Sequence, residues 1–195
     1  MKTGTRRILI HAMVIAAALG SGNVLAKTCN GINFPDQLQV DGSNLPLNGL
    51  GLYQATILKV KVYVAALYVG KTSADPNAIL AAGGPSGLVL QFVRDVGAND
   101  LRKGWDEGFA ENSSAQLPAL KERIAMLNGW MADMKSGQRL AFIHKPGAGV
   151  QVDVNGTVKG TIKGDDFAKA LLAIWLGGEP PNAEIKAGML GGACG

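Results

Sequence analysis

The sequence predicts a single α+β domain built on a largely antiparallel sheet, and three features carry that prediction. Strand-like stretches stand both before and after a pair of amphipathic helical stretches. Residues 59–69 alternate with the two-residue period of a strand. Asn155-Gly156 separates two further strand-like runs, and both residues tolerate the positive φ of a tight hairpin turn. No internal repeat and no linker-like composition divides the chain.

Residues 1–26 read as a secretory signal. Lys2, Arg6 and Arg7 open it, residues 8–19 are apolar except for His11, and Val24-Leu25-Ala26 precedes an expected cut at Lys27. Removing those 26 residues from 195 leaves 169, residues 27–195, enough for one domain with a substantial core. The apolar stretch is shorter than the roughly 20 residues a membrane span needs, and no later run reaches that length. The expected product is exported to the periplasm and has no stable membrane insertion. The formal charge of +4 largely belongs to the signal: three of the 19 basic residues lie there, leaving 16 against 15 acids. Nothing is clustered in the way a nucleic-acid surface requires.

Residues 27–50 are rich in Asn, Gly, Pro and Asp, with short extended pieces at 37–40 and 45–47. Gly49-Leu50-Gly51 resembles part of a phosphate loop, but no helix opens after it, so it reads as a turn into a strand. In the strand that follows, Val60, Val62, Val64, Ala66 and Tyr68 point one way. Lys61, Tyr63, Ala65, Leu67 and Val69 point the other. Both faces become apolar toward its end, which predicts a central strand covered on two sides. Asp75-Pro76 is an N-cap and first helical residue for a short helix to Ala82, ended by Gly83-Gly84-Pro85. Residues 87–94 are a strand with Leu88, Leu90, Phe92 and Arg94 on one face.

Residues 99–134 change period. Leu101, Trp105 and Phe109 recur every fourth residue, and Leu117, Leu120, Ile124, Leu127, Met131 and Met134 at three and four. Two core-packed helices are expected, with a break near Asn112-Ser113-Ser114. Residues 139–145, 150–154 and 157–162 read as strands. Gly164-Asp165-Asp166 opens a helix whose stripe is Phe167, Leu171, Ile174 and Trp175. Gly177-Gly178 ends it, and a last short helix covers 182–190.

Chemistry-bearing patterns are few. Beyond residue 26 there is one histidine, His144, and there is no Cys-x-x-Cys or His-x-x-x-His, so neither a metal site nor a cofactor is expected. His144 closes a strand beside Lys145-Pro146 and reads as a surface or turn residue. Cys29 and Cys194 stand at opposite ends of the exported chain. An oxidising compartment makes a disulfide between them the expected outcome, with pairing between chains as the alternative. Arg94 ends an apolar strand face, where a guanidinium either pairs with a structural acid, the expected case, or binds an anionic ligand group. Tyr53, Tyr63 and Tyr68 bring phenols to the same part of the sheet.

Several segments are familiar as a set: Gly49-Leu50-Gly51-Leu52, Lys61-Val62-Tyr63-Val64-Ala65-Ala66-Leu67-Tyr68, Phe92-Val93-Arg94-Asp95-Val96, Val154-Asn155-Gly156, Gly164-Asp165-Asp166-Phe167 and Ala173-Ile174-Trp175-Leu176-Gly177. Over residues 45–190 the chain resembles the exported bacterial chalcone isomerase-like proteins. That resemblance implies an open-faced β-sandwich: a large antiparallel sheet with helices packed on one face and a cleft between them. It also compares the cleft residue by residue. Tyr53 stands where the plant-type isomerases carry an arginine, Tyr63 where they carry a threonine, Leu101 near the place of a tyrosine, and Ile174 at the place of a polar specificity residue. The preorganised charge of that chemistry is thus replaced, and no catalytic residue is assigned. The expectation is a periplasmic, non-catalytic protein holding a small apolar or amphipathic ligand such as a fatty acid. Its ligand residues would be Arg94, Tyr53, Tyr63, Leu101 and Ile174. Two alternatives stand beside it: an isomerase or lyase of unknown substrate using the tyrosines, and an envelope interaction protein with an exposed apolar patch at Trp130 or Trp175. The sequence names no protein partner.

Overall fold

Why the chain builds a sheet with two different faces follows from its strand pairing. The computed structural model describes residues 26–195, so the secretory signal read over residues 1–26 lies outside the described residues except for Ala26. Two short strands come first, β1 (Ala26–Cys29) and β2 (Ile32–Pro35), joined by Asn30-Gly31 with φ of 48° and 75°. Then follow β3 (Gln37–Val40), β4 (Ser43–Ala55), β5 (Val60–Val69), α1 (Pro76–Ala82) and β6 (Ser86–Phe92). Next are α2 (Ala98–Ser113), a short 3₁₀ turn, and α3 (Leu117–Trp130). The chain closes with β7 (Arg139–Lys145), β8 (Gly149–Val154), β9 (Thr157–Ile162), α4 (Asp165–Leu176) and α5 (Ala183–Met189). Strands β3 to β9 form one seven-stranded sheet in chain order, every neighbour antiparallel.

Register aligns the apolar positions into rows. Ala65, Leu90, Leu140 and Val154 lie opposite one another across four strands, as do Leu67, Leu88, Phe142 and Val152. These rows meet Trp105, Phe109, Phe167, Leu171 and Trp175 of the helices in the main core. Val64, Ala66 and Tyr68 point to the other face, into a second core with Phe34, Leu45 and Leu50. Tyr68 Oη donates to the Pro35 carbonyl at 3.0 Å, fastening β5 to the β1–β2 hairpin. The alternation of residues 59–69 thus gives a strand covered on both faces, as expected from its pattern. Asp75 caps α1 by accepting from Asn77 N at 2.9 Å, and Gly83 ends it at φ 61°.

Four expectations need correcting. Gly49-Leu50-Gly51 is not a turn but the middle of β4, next to a bulge between Leu47 and Gly49. A Cβ on Gly49 would collide with the Gly188 carbonyl oxygen, and one on Gly51 with that of Ile185. The glycines let α5 lie against the strand at backbone contact. The strand expected over 87–94 stops at Phe92, and Arg94 sits in the bend beyond it. α3 ends at Trp130, so Met131 and Met134 are buried without being helical; Met134 instead exchanges backbone hydrogen bonds with Val96 at 2.8 and 2.9 Å. Trp175 is wholly buried and Trp130 is half-buried against Gly160 of β9, so neither centres an exposed apolar patch.

Cys29 and Cys194 form a disulfide, with Cα atoms 5.8 Å apart and a sequence separation of 165. The Cys194 carbonyl accepts from Leu52 N at 2.8 Å, on the stretch of β4 that β3 does not reach. No helix among the described residues is long and apolar enough to cross a membrane.

Candidate functional site

The ends of β4 and β5 place two phenols side by side. Tyr53 and Tyr63 are register partners on the helix-covered face, with ring centroids 5.0 Å apart. Tyr63 also meets Phe92, its partner on β6, edge-on at 5.7 Å. From above, α4 drops Trp175 into the core, where its Nε1 donates to Tyr63 Oη at 3.0 Å. On α2, the helical period sets Leu101, Trp105 and Gly108 on one face. The absence of a side chain at Gly108 admits Ile174, since a Cβ there would stand 2.6 Å from Ile174 Cγ2. Asn112 at the end of α2 holds the chain after α4 in place. It donates to the Glu179 carbonyl at 2.8 Å and accepts from Glu179 N at 2.9 Å.

These elements enclose a cleft of about 810 Å³, within the usual size of small-molecule sites. The structure brings Tyr53, Tyr63, Arg94, Leu101 and Ile174 together on its lining. Leu101 and Ile174 are buried, Tyr53 is half-buried and Arg94 is exposed. Arg94 stands where the cleft expectation put it, but the structural partner expected for it is absent. Its guanidinium makes no hydrogen bond or ion pair among the described residues. The neighbouring Asp95 is instead held by Lys135 Nζ at 2.9 Å and Ser136 N at 3.0 Å.

Burial pushes the Tyr63 phenol far above its ordinary value, against the lesser opposing effect of the Trp175 hydrogen bond. Tyr53 is raised as well, by burial first and by the nearby Glu107 carboxylate second. Both phenols therefore keep their protons at neutral pH and can serve a ligand as hydrogen-bond donors rather than as bases.

Sequence reasoning left Trp105 in the core and missed its part in the cleft. It lines the cavity and packs on Trp175 with centroids 5.6 Å apart. Its signal was faint: a tryptophan with a glycine, Gly108, one turn on along its own helix face. Tyr68 belongs elsewhere, in the opposite core.

His144 is buried, not a surface residue, because it shares the helix-covered face with Ser86 of β6 and Val150 of β8. Its Nδ1 lies 3.1 Å from the Gly84 carbonyl and its Nε2 3.0 Å from Asp165 Oδ1 at the start of α4. No group of three or more His, Cys, Asp or Glu among the described residues is placed to hold a metal ion.

A family model described as chalcone isomerase-like matches residues 26–191. A similar solved structure is the fatty-acid binding protein of Arabidopsis thaliana, 16% identical, matched over 82% of this chain and 92% of that one with a TM-score of 0.61. At that identity the likeness is one of fold. No curated protein sequence matches the chain.

Proposed function

The chain belongs to the chalcone isomerase-like family, and from that premise we propose that it is a non-catalytic binding protein whose cleft holds a small, largely apolar ligand. One observation carries the proposal. Residues from β4, β5, α2, α4 and the bend after β6 converge on a single cleft of about 810 Å³ with an aromatic and aliphatic floor. The Arabidopsis neighbour is titled a fatty-acid binding protein, which makes an acyl chain the first ligand to try. Tyr53 stands where the plant-type isomerases carry their arginine, so the group that would stabilise a developing oxyanion is replaced by a neutral phenol. Residues 1–26 support export to the periplasm, and the Cys29–Cys194 bond fits an oxidising compartment.

The test is to purify the processed protein from its native host without denaturation, extract it with organic solvent and analyse the extract by mass spectrometry. A stoichiometric apolar compound is expected, and the stripped protein should take up the apolar dye Nile red. Protein that is clean of ligand and also leaves the dye unbound overturns the proposal.

A further inference from the structure

The polar groups of the cleft narrow the chemistry of its ligand. Trp105 is only 4% exposed and lines the cleft, yet its Nε1–H has no hydrogen-bond partner among the described residues. Tyr63, 5% exposed, lines it too. Its Oη accepts from Trp175 Nε1 and donates no hydrogen bond of its own among the described residues. The two donors are neighbours through Trp175, which packs at a tilt against the first and hydrogen-bonds the second. A buried donor without an acceptor is unfavourable, and most buried polar groups in folded proteins are paired. Two such donors in one cavity call for an acceptor that arrives with the ligand.

The rim has the opposite character. α2 presents Asp100, Glu107 and Glu111 to the cleft, and Glu179 joins them from the segment after α4. Lys103 is engaged with Glu107 at 3.7 Å. Arg94 is then left facing Asp100, Glu111 and Glu179, so the mouth is net negative. Burial and, after it, the Glu107 carboxylate raise the Tyr53 phenol at the edge of this rim. A carboxylate entering here would meet more repulsion than attraction, since Arg94 and the acids around it are all exposed and screened alike, and the acids outnumber it.

On the reading that this cleft holds an apolar ligand, we propose that the ligand is an uncharged amphiphile. It brings a hydrogen-bond acceptor oxygen, an ester or ketone carbonyl, to Trp105 Nε1 and Tyr63 Oη, rather than a free carboxylate to Arg94.

The experiment titrates the stripped, processed protein near neutral pH with dodecanoic acid, its methyl ester and Nile red, followed by tryptophan emission and native mass spectrometry. The ester is expected to bind about tenfold tighter than the acid. Equal or tighter binding of the acid overturns the inference and leaves the apolar-cleft reading standing. Nile red bound with neither dodecyl compound also overturns the inference alone, and failure of all three overturns both readings. Two variants probe the two halves of the argument. Trp105→Phe should weaken the ester about tenfold; it breaks no hydrogen bond within the protein, and the space it leaves beside Phe142 and Trp175 should lower the unfolding midpoint while the variant stays folded. Glu111→Gln, at an exposed position safe for folding, should improve the acid severalfold and leave the ester unchanged. An acid-to-ester ratio unmoved by Glu111→Gln, or an ester affinity unmoved in a folded Trp105→Phe protein, overturns the assignment.

Discussion

Tyr53 and Tyr63 face each other across β4 and β5, but their hydroxyls hold different things. Tyr63 Oη satisfies the buried Trp175 N–H, whereas Tyr53 Oη makes no hydrogen bond within the described residues. Tyr63→Phe strands that N–H and should lower stability by about 1–3 kcal/mol. Tyr53→Phe should stay within about 0.5 kcal/mol of the parent. Urea midpoints of the two variants check the contrast. Asp165 gives a pH dependence with a definite sign. Its carboxyl is held below the ordinary value by the hydrogen bond to His144 first and by Gly147 N second. A carboxylate depressed in the folded state contributes stability that is fully present above its unfolded pKa, and that contribution is lost as pH falls through the folded value. The loss therefore belongs to the acid range below 3.8. Asp165→Asn should flatten the acid limb of the melting temperature against pH and leave its neutral plateau shape unchanged.

At the scale of elements, the contact of α5 with β4 depends on two residues that have no side chain. Gly49 and Gly51 take the places opposite Leu67 and Ala65, where any Cβ would strike α5 backbone. Gly49→Ala should destabilise the protein by about 1–3 kcal/mol through overpacking, measured by thermal or urea unfolding. Alanine at Gly137, which meets nothing within 4 Å, would cost only its strained φ of 87° and serves as the comparison. Legibility differed from element to element. α1 and the β8–β9 hairpin could be read because their stop and turn residues act locally: Asp75, Gly83, Asn155 and Gly156 need only their own backbone. The same logic was available for Asn30-Gly31 and for Asp41-Gly42, with φ of 46° and 81°. β1 and β2, joined by the first turn, are four residues long and carry few apolar side chains, so their periodicity was too short to register, and β3, before the second turn, was legible only as a short extended piece. The end of α3 failed for the opposite reason. Met131 and Met134 continue a helical spacing, but they are buried from an extended segment that pairs with Val96.

Across the whole molecule, the Cys29–Cys194 bond joins the first hairpin to the segment after α5. In the chain-entropy model, closing a loop of that length is worth about 5 kcal/mol, less whatever structure the denatured chain retains. The paired variant Cys29→Ser with Cys194→Ser should therefore fold with a markedly lower urea midpoint. Reducing agent should lower the parent to the same value and leave the variant unmoved. An unchanged midpoint in reduced parent protein would show that the hairpin and the tail are held by packing alone.

By itself, the sequence determined the antiparallel α+β class, the two-sided central strand and the paired helices, and it named five of the residues that line one cleft. These follow from period and turn chemistry, which act within a few residues of one another, and from a resemblance spread over most of the chain. The tertiary structure alone decided four things: that β4 runs unbroken through Gly49 and Gly51, that His144 is buried between Gly84 and Asp165, that Arg94 has no partner among the described residues, and that Trp105 lends a donor to the cleft. Each of these depends on which group arrives from a distant part of the chain to stand opposite. Periodicity says which way a side chain points, and only packing says what it meets.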